Sequence, residues 1–137
     1  MVRPEIIRKR LNKLDEYLAI LENARRYSWE EFVADPERYG SVERFLHLSL
    51  EALQDMGNHI IADLELGVVD RSRDIPEIFA KQRWIDEAMK DTWIRMIGFR
   101  NILVHDYLEV DRRIVYETLQ HRLDDLKQIR DVFVQFL

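Results

Sequence analysis

Between Pro4 and Ala24 the apolar residues Ile7, Leu11, Leu14, Leu18 and Leu21 return every three or four positions. That spacing is the period of an α-helix with one buried stripe, and a strand cannot gather those residues on one face. The same period recurs along most of the chain. Turn-forming residues are scarce, with four glycines and three prolines in 137 residues. Long helices joined by short connections follow from this. The expected fold is all-α, an antiparallel bundle of about five helices in a single domain spanning residues 1–137.

Local signals divide the chain. Pro4 suits the first turn of a helix, where a missing N–H costs nothing. "SWEE" at 28–31 reads as a capping box, Ser28 over Glu31, opening a short helix to about Ala34. In "DPERYG" Asp35 is a cap, Pro36 a first-turn residue and Gly40 a terminator, so Ser41 opens the second long helix, to about Leu66. "VVDRSRDIPE" is the longest irregular stretch. Pro76 begins a third long helix to about Met89, and a fourth runs from about Asp91 to Tyr107. Asp111 caps a fifth, with Ile114, Leu119, Leu123, Leu126, Ile129, Val132 and Phe133 facing inward.

Composition excludes several classes. No cysteine is present, so disulfide frameworks and zinc–thiolate sites are ruled out, which suits a reducing cytoplasm. No run approaches the roughly 20 apolar residues of a membrane helix, and the charged N-terminal stretch cannot be a signal-peptide core. A cytoplasmic protein that spans no membrane is expected. The net charge of −5 argues against an extended nucleic-acid footprint but allows a small basic pocket. Residues 1–13 carry Arg3, Arg8, Lys9, Arg10 and Lys13 against Glu5 alone, read here as a solvated helix face. No carboxylate–histidine spacing suggests a metal and no glycine-rich loop a bound nucleotide, so no cofactor is expected.

The fourth helix is the unusual one. Trp93, Met96, Ile97, Ile102, Leu103 and Val104 point in nearly every direction at 100° per residue, and such a helix must be covered all round. A symmetric homodimer packed along it is the expected solution, the alternative being a central helix wrapped by the others.

Into this helix, "MIGFRNILVHDYLEV" at 96–110, are spliced Arg100, Asn101, His105, Asp106 and Tyr107. Burying such groups costs several kcal/mol unless they are paired or used. Arg100 and Tyr107 lie two turns apart on one face, whereas His105 is about 140° round from Arg100. Arginine offers a planar fork matching a phosphate, and histidine can move a proton near neutrality. Together they suit metal-free RNA cleavage. The imidazole takes the proton of a ribose 2′-OH or gives one to the departing 5′ oxygen, and arginine stabilises charge on phosphorus oxygens. A twofold axis supplies the second imidazole. A core histidine beside a structural arginine is the competing explanation of the same spacing.

"GFRNILVHDY", with "MGNHII" about forty residues upstream and "VDRRIVYETL" directly after, resembles the HepT-like branch of the HEPN superfamily, small helical proteins marked by R-x4-H-x-Y. The resemblance implies the toxin of a toxin–antitoxin module, a homodimeric, metal-independent endoribonuclease. It implies an MNT-type nucleotidyltransferase antitoxin that adenylylates the motif tyrosine. Arg100 then holds phosphate, His105 transfers protons, Asn101 orients Arg100 and Tyr107 is the modification site, while Asp106 has no catalytic role. AMP on Tyr107 would bring a negative charge and a bulky base to the face of Arg100, excluding RNA.

Arg71, Arg73, Lys81, Arg83, Arg95 and Arg100 are candidates to line an RNA cleft, with Arg95 adding a phosphate contact. Asn58 and His59 are candidates to support the motif helix or are exposed, and His47 and His121 read as surface or boundary residues. Two other readings use the same residues. One is a non-catalytic helical subunit that binds a nucleotidyltransferase partner or a nucleotide. The other is a dimerisation module in which Arg100 and His105 only pair with acids.

Overall fold

The computed structural model describes residues 1–105 and 111–137, for Val104 and His105 the backbone alone. Among them are seven α-helices, α1 (Pro4–Ala24), α2 (Trp29–Ala34), α3 (Pro36–Asp63), α4 (Asp74–Lys81), α5 (Glu87–His105), α6 (Arg112–His121) and α7 (Leu123–Val132), then a 3-10 turn, Phe133–Phe136. The all-α expectation holds, and no described helix is long and apolar enough to cross a membrane.

Helix α1 forms as its periodicity requires, with Ile7, Leu11, Leu14, Leu18, Leu21 and Ala24 buried. Its main partner is α3, which presents Val42, Leu46, Leu50, Leu53, Met56, Ile60 and Ile61 to the core. The capping box of α2 is complete, Glu31 N–H donating to Ser28 Oγ (3.2 Å) and Ser28 N–H to Glu31 Oε1 (3.0 Å). Asp35 and Asp111 cap α3 and α6 through Glu37 N–H and Arg113 N–H (2.9 and 2.8 Å).

Several features differ from the sequence-based expectation. Gly40 does not terminate a helix: Pro36–Asp63 is uninterrupted and Ser41 lies inside it. A glycine in αR geometry weakens a helix without stopping it, and Asp35 has already capped the first turn.

The third long helix ends at Lys81 instead of Met89. Arg83 takes a left-handed conformation (φ 61°), its N–H donates to Ala80 O (3.0 Å), and Trp84 N–H donates to Phe79 O (3.1 Å). This is a Schellman termination, completed by the Trp84 ring meeting Phe79 edge-on at 5.0 Å. Glu65 (φ 53°) ends α3 the same way, with Leu66 N–H on Ile61 O (3.0 Å). Asp86 then caps α5 through Met89 N–H (2.8 Å), so Met89 belongs to the motif helix.

The fifth helix is two, broken at Arg122 (φ −120°, ψ 3°). With α6 in its own register, Val115, Thr118 and Leu119 turn inward and Ile114 is exposed.

Finally, α5 is not buried all round. Trp93, Met96, Phe99 and Leu103 form its core stripe, resting on α3, α4 and α7. Phe79, Trp84, Trp93, Phe133 and Phe136 make one aromatic cluster that pins α4, α5 and the C-terminal turn together. The opposite face of α5 is covered only in part, by the Arg71–Arg73 loop: Ile94 and Ile97 are half-buried, Gly98 and Asn101 exposed, and Ile102 is 39% exposed.

Candidate active site

Helix α3 lies between α1 and α5 and supplies what faces the motif arginine. Arg100 Nε donates to Glu51 Oε1 at 2.6 Å and one Nη also meets that oxygen. The other Nη donates to Asn101 Oδ1 at 3.0 Å. His47, one turn before Glu51, brings Nε2 to 3.4 Å from the same Oε1, and its Nδ1 lies 3.5 Å from an Arg44 Nη.

The Arg100 side chain retains 19% exposure. A guanidinium has five N–H donors. These contacts engage three at most, so the site can hold an arginine fixed along one edge and still offer donors to an anion. A single carboxylate oxygen facing two nitrogens is also a strong orienting contact, since charge-assisted hydrogen bonds are roughly twice as strong as neutral ones.

Asn101 therefore stands beside Arg100. Arg95 does not: it is exposed and donates through Nη2 to Thr92 Oγ1 at 3.1 Å. The backbone of His105 is the last residue of α5. Tyr107 and Asp106, with the expected end of this helix, lie outside the described residues.

A groove of about 360 Å³ runs along the open face of α5, lined by Arg71, Ser72, Arg73, Ile94, Ile97, Gly98 and Asn101. The loop carrying the two arginines is set by Asp74, which accepts from Asp70 N–H and Arg71 N–H at 3.0 Å each. The Arg71 backbone bond, countered by some desolvation, holds the Asp74 carboxyl below its usual range. Of the expected cleft cations, Arg71 and Arg73 line this groove. Lys81 and Arg83 belong to the other end of α4, beside the start of α5, because the chain reverses there.

His59 is turned away from the motif arginine. It faces α1, its ring nitrogens 3.4 Å from Arg3 and Arg10 Nη atoms. His121 is exposed beside Glu117, as a surface residue. His47 is a boundary residue, as expected, but sequence reasoning missed Glu51 and the link between the two. The available signal was their i, i+4 spacing among Leu46, Leu48 and Leu50.

With this geometry, comparison with known proteins places the chain in a class and then among particular relatives. The family described as Ribonuclease HepT-like matches residues 7–133, and the chain belongs to it. It is 37% identical over 102 residues to the mRNA nuclease HepT of Shewanella oneidensis, covering 74% of this chain and 77% of that one. It is 25% identical over 122 residues to the tRNA nuclease HepT of Aphanizomenon flos-aquae, covering 89% and 83%. Among solved structures it superposes on the tri-AMPylated Shewanella oneidensis HEPN toxin in complex with MNT antitoxin, TM-score 0.85 at 31% identity, covering 95% and 97% of the chains. The fold is also that of the Bacillus subtilis cytosolic protein YutE, TM-score 0.84 at 22% identity, covering 99% and 91%.

Proposed function

We propose that this protein is the toxin of a toxin–antitoxin pair, an endoribonuclease that needs no metal, works as a homodimer through α5, and is silenced when a nucleotidyltransferase antitoxin adenylylates Tyr107. The observation that carries the reading is Arg100, anchored to Glu51 and Asn101 with donors to spare, five residues before His105 on a helix with an open face.

In this reading a phosphodiester docks on the free N–H groups of Arg100. One His105 imidazole takes the 2′-OH proton as the 2′ oxygen attacks phosphorus, and the other His105 of the dimer protonates the departing 5′ oxygen. The products are a 2′,3′-cyclic phosphate and a 5′-hydroxyl, and the two imidazoles end in exchanged protonation states. Arg100 stabilises the extra negative charge on phosphorus in between. Ile94, Ile97, Gly98 and Ile102 are the uncovered surface that a second copy would bury. Arg95 and the Arg71–Arg73 loop flank that surface as further phosphate contacts.

RNA cleavage in the presence of chelator tests it. Arg100→Ala and His105→Ala variants that still dimerise should each lose roughly 100-fold or more, and cleavage unchanged in His105→Ala refutes the mechanism. The Glu51 contact favours one second reading, a partner-binding subsystem without catalysis in which Arg100 is a structural ion pair. Full folding and no cleavage by the unmodified chain would select it.

A further inference from the structure

The basic run at the start of the chain is largely solvated, as expected, and part of it also borders a groove. On α1, Lys9, Arg10, Lys13 and Tyr17 line a groove of about 180 Å³ whose far wall is the α3 strip Leu48, Glu51, Ala52 and Asp55. That strip is spaced i, i+3, i+4, i+7, one face of one helix turned toward α1.

The cations in the groove are incompletely matched. Lys9 is exposed and has no carboxylate within 4 Å among the described residues. Lys13 has only Glu16 at 3.4 Å, both side chains at least 60% exposed, an ion pair of little strength. Arg10 meets Asp55 at 3.7 Å and a ring nitrogen of His59 at 3.4 Å, and its Nε is buried with no hydrogen-bond partner. Tyr17 closes the groove with a ring held against Phe45 at 5.8 Å. The groove also leads to the motif, because Glu51 both lines it and anchors Arg100.

We infer that the α1–α3 groove is a subsite for single-stranded RNA, in which Lys9, Arg10 and Lys13 take phosphodiester groups of the strand that reaches Arg100, and Tyr17 packs against a base. This rests on the ribonuclease reading and deepens it. Cations interleaved with an aromatic ring are what a flexible polyanion with flat bases requires, and stacking on a ring tolerates any sequence. Lys9 and Lys13, four residues apart, stand about 6 Å apart along the helix axis, an extended row instead of a point. The subsite lies on the α1 side of α3, away from the open face of α5, so dimerisation through α5 leaves it accessible. It also accounts for how an acidic protein can bind RNA: a few cations lie in one line, and the net charge is set elsewhere.

The test uses the full chain and a fluorescent single-stranded 2′-O-methyl oligoribonucleotide, whose blocked 2′ oxygen prevents cleavage. Its affinity is measured over a range of salt concentrations for the wild type, Lys9→Gln/Lys13→Gln and Lys9→Arg/Lys13→Arg. A remote pair, Arg122→Gln/Lys127→Gln, removes equal charge elsewhere. The glutamine pair should weaken binding about tenfold and flatten the log–log salt dependence by about 1.4, two contacts at 0.7 each, while the arginine pair and the remote pair stay near wild type. Unchanged affinity and slope, an equal loss in the remote pair, or retained RNA binding with loss of the nucleotidyltransferase partner each overturn the subsite. A wild type that neither binds this RNA nor cuts an unmodified one overturns the ribonuclease reading as well. A wild type that cuts, with the glutamine pair matching it in binding, removes the subsite alone.

Discussion

Two glycines on α3 should respond to the same substitution with opposite signs. At Gly57 an added Cβ would sit 2.5 Å from Ile75 Cγ2, 0.9 Å inside the 3.4 Å at which ordinary contact begins. Ile75 is 1% exposed and β-branched, so its χ1 has little freedom to yield. An overlap this deep against a stiff neighbour belongs at the upper end of the overpacking range, about 2–3 kcal/mol, against about 1 kcal/mol gained because alanine favours the helix over glycine. Gly57→Ala should therefore lose about 1–2 kcal/mol.

Gly40 lies in the same helix with nothing within 4 Å of its added Cβ. Gly40→Ala should gain about 0.5–1 kcal/mol. At this chain length the two variants should melt roughly 5–10 °C apart, with wild type between them. Thermal and urea unfolding at one fixed protomer concentration measure this, since the proposed dimerisation would make Tm depend on concentration. If Gly57→Ala melts at or above wild type, α3 and α4 are not in the close contact described and the reasoning fails.

Glu51→Ala should lower the RNA cleavage rate about 10- to 100-fold with little change in unfolding, because a loosened Arg100 no longer meets the phosphate in register. Glu51→Gln, which keeps an acceptor oxygen, should recover most of it, and a Glu51→Ala rate at or above wild type would refute the anchoring role. The Arg3 side-chain hydrogen bond, opposed in part by desolvation, holds the Asp63 carboxyl below its ordinary 3.8. A depressed carboxylate contributes stability that is whole above that value and fades as pH falls through the lower folded-state one. Asp63→Asn should thus melt slightly below wild type at neutral pH, with the gap closing below about pH 4. A gap that persists in acid would mean the pair is not its source.

What the sequence made legible follows from which contacts are periodic. The stripe of α1 and the caps at Ser28, Asp35 and Asp111 are local, and each was readable in place. Arg83 and Glu65 were not, because a left-handed helix end is signalled by glycine and these two positions carry long charged side chains. Gly40 misled for the converse reason, being a glycine with no turn to make. Ile114 was placed inward because one continuous register was extended across Arg122, where the helix breaks. In the site, Arg100 and Asn101 stood out as polar residues in an apolar run. Glu51 did not, since a partner 49 residues away leaves no periodic trace.

Gly57 and Glu51 sit on the same unbroken helix, six residues and about 9 Å apart. One end of that short span is seated against α4 by the absence of a side chain, and the other grips the motif arginine. The helix acts as a beam between them, so a displacement that eases crowding at Ile75 also re-aims the guanidinium. Stability and turnover in this protein therefore cannot be tuned independently at that seat.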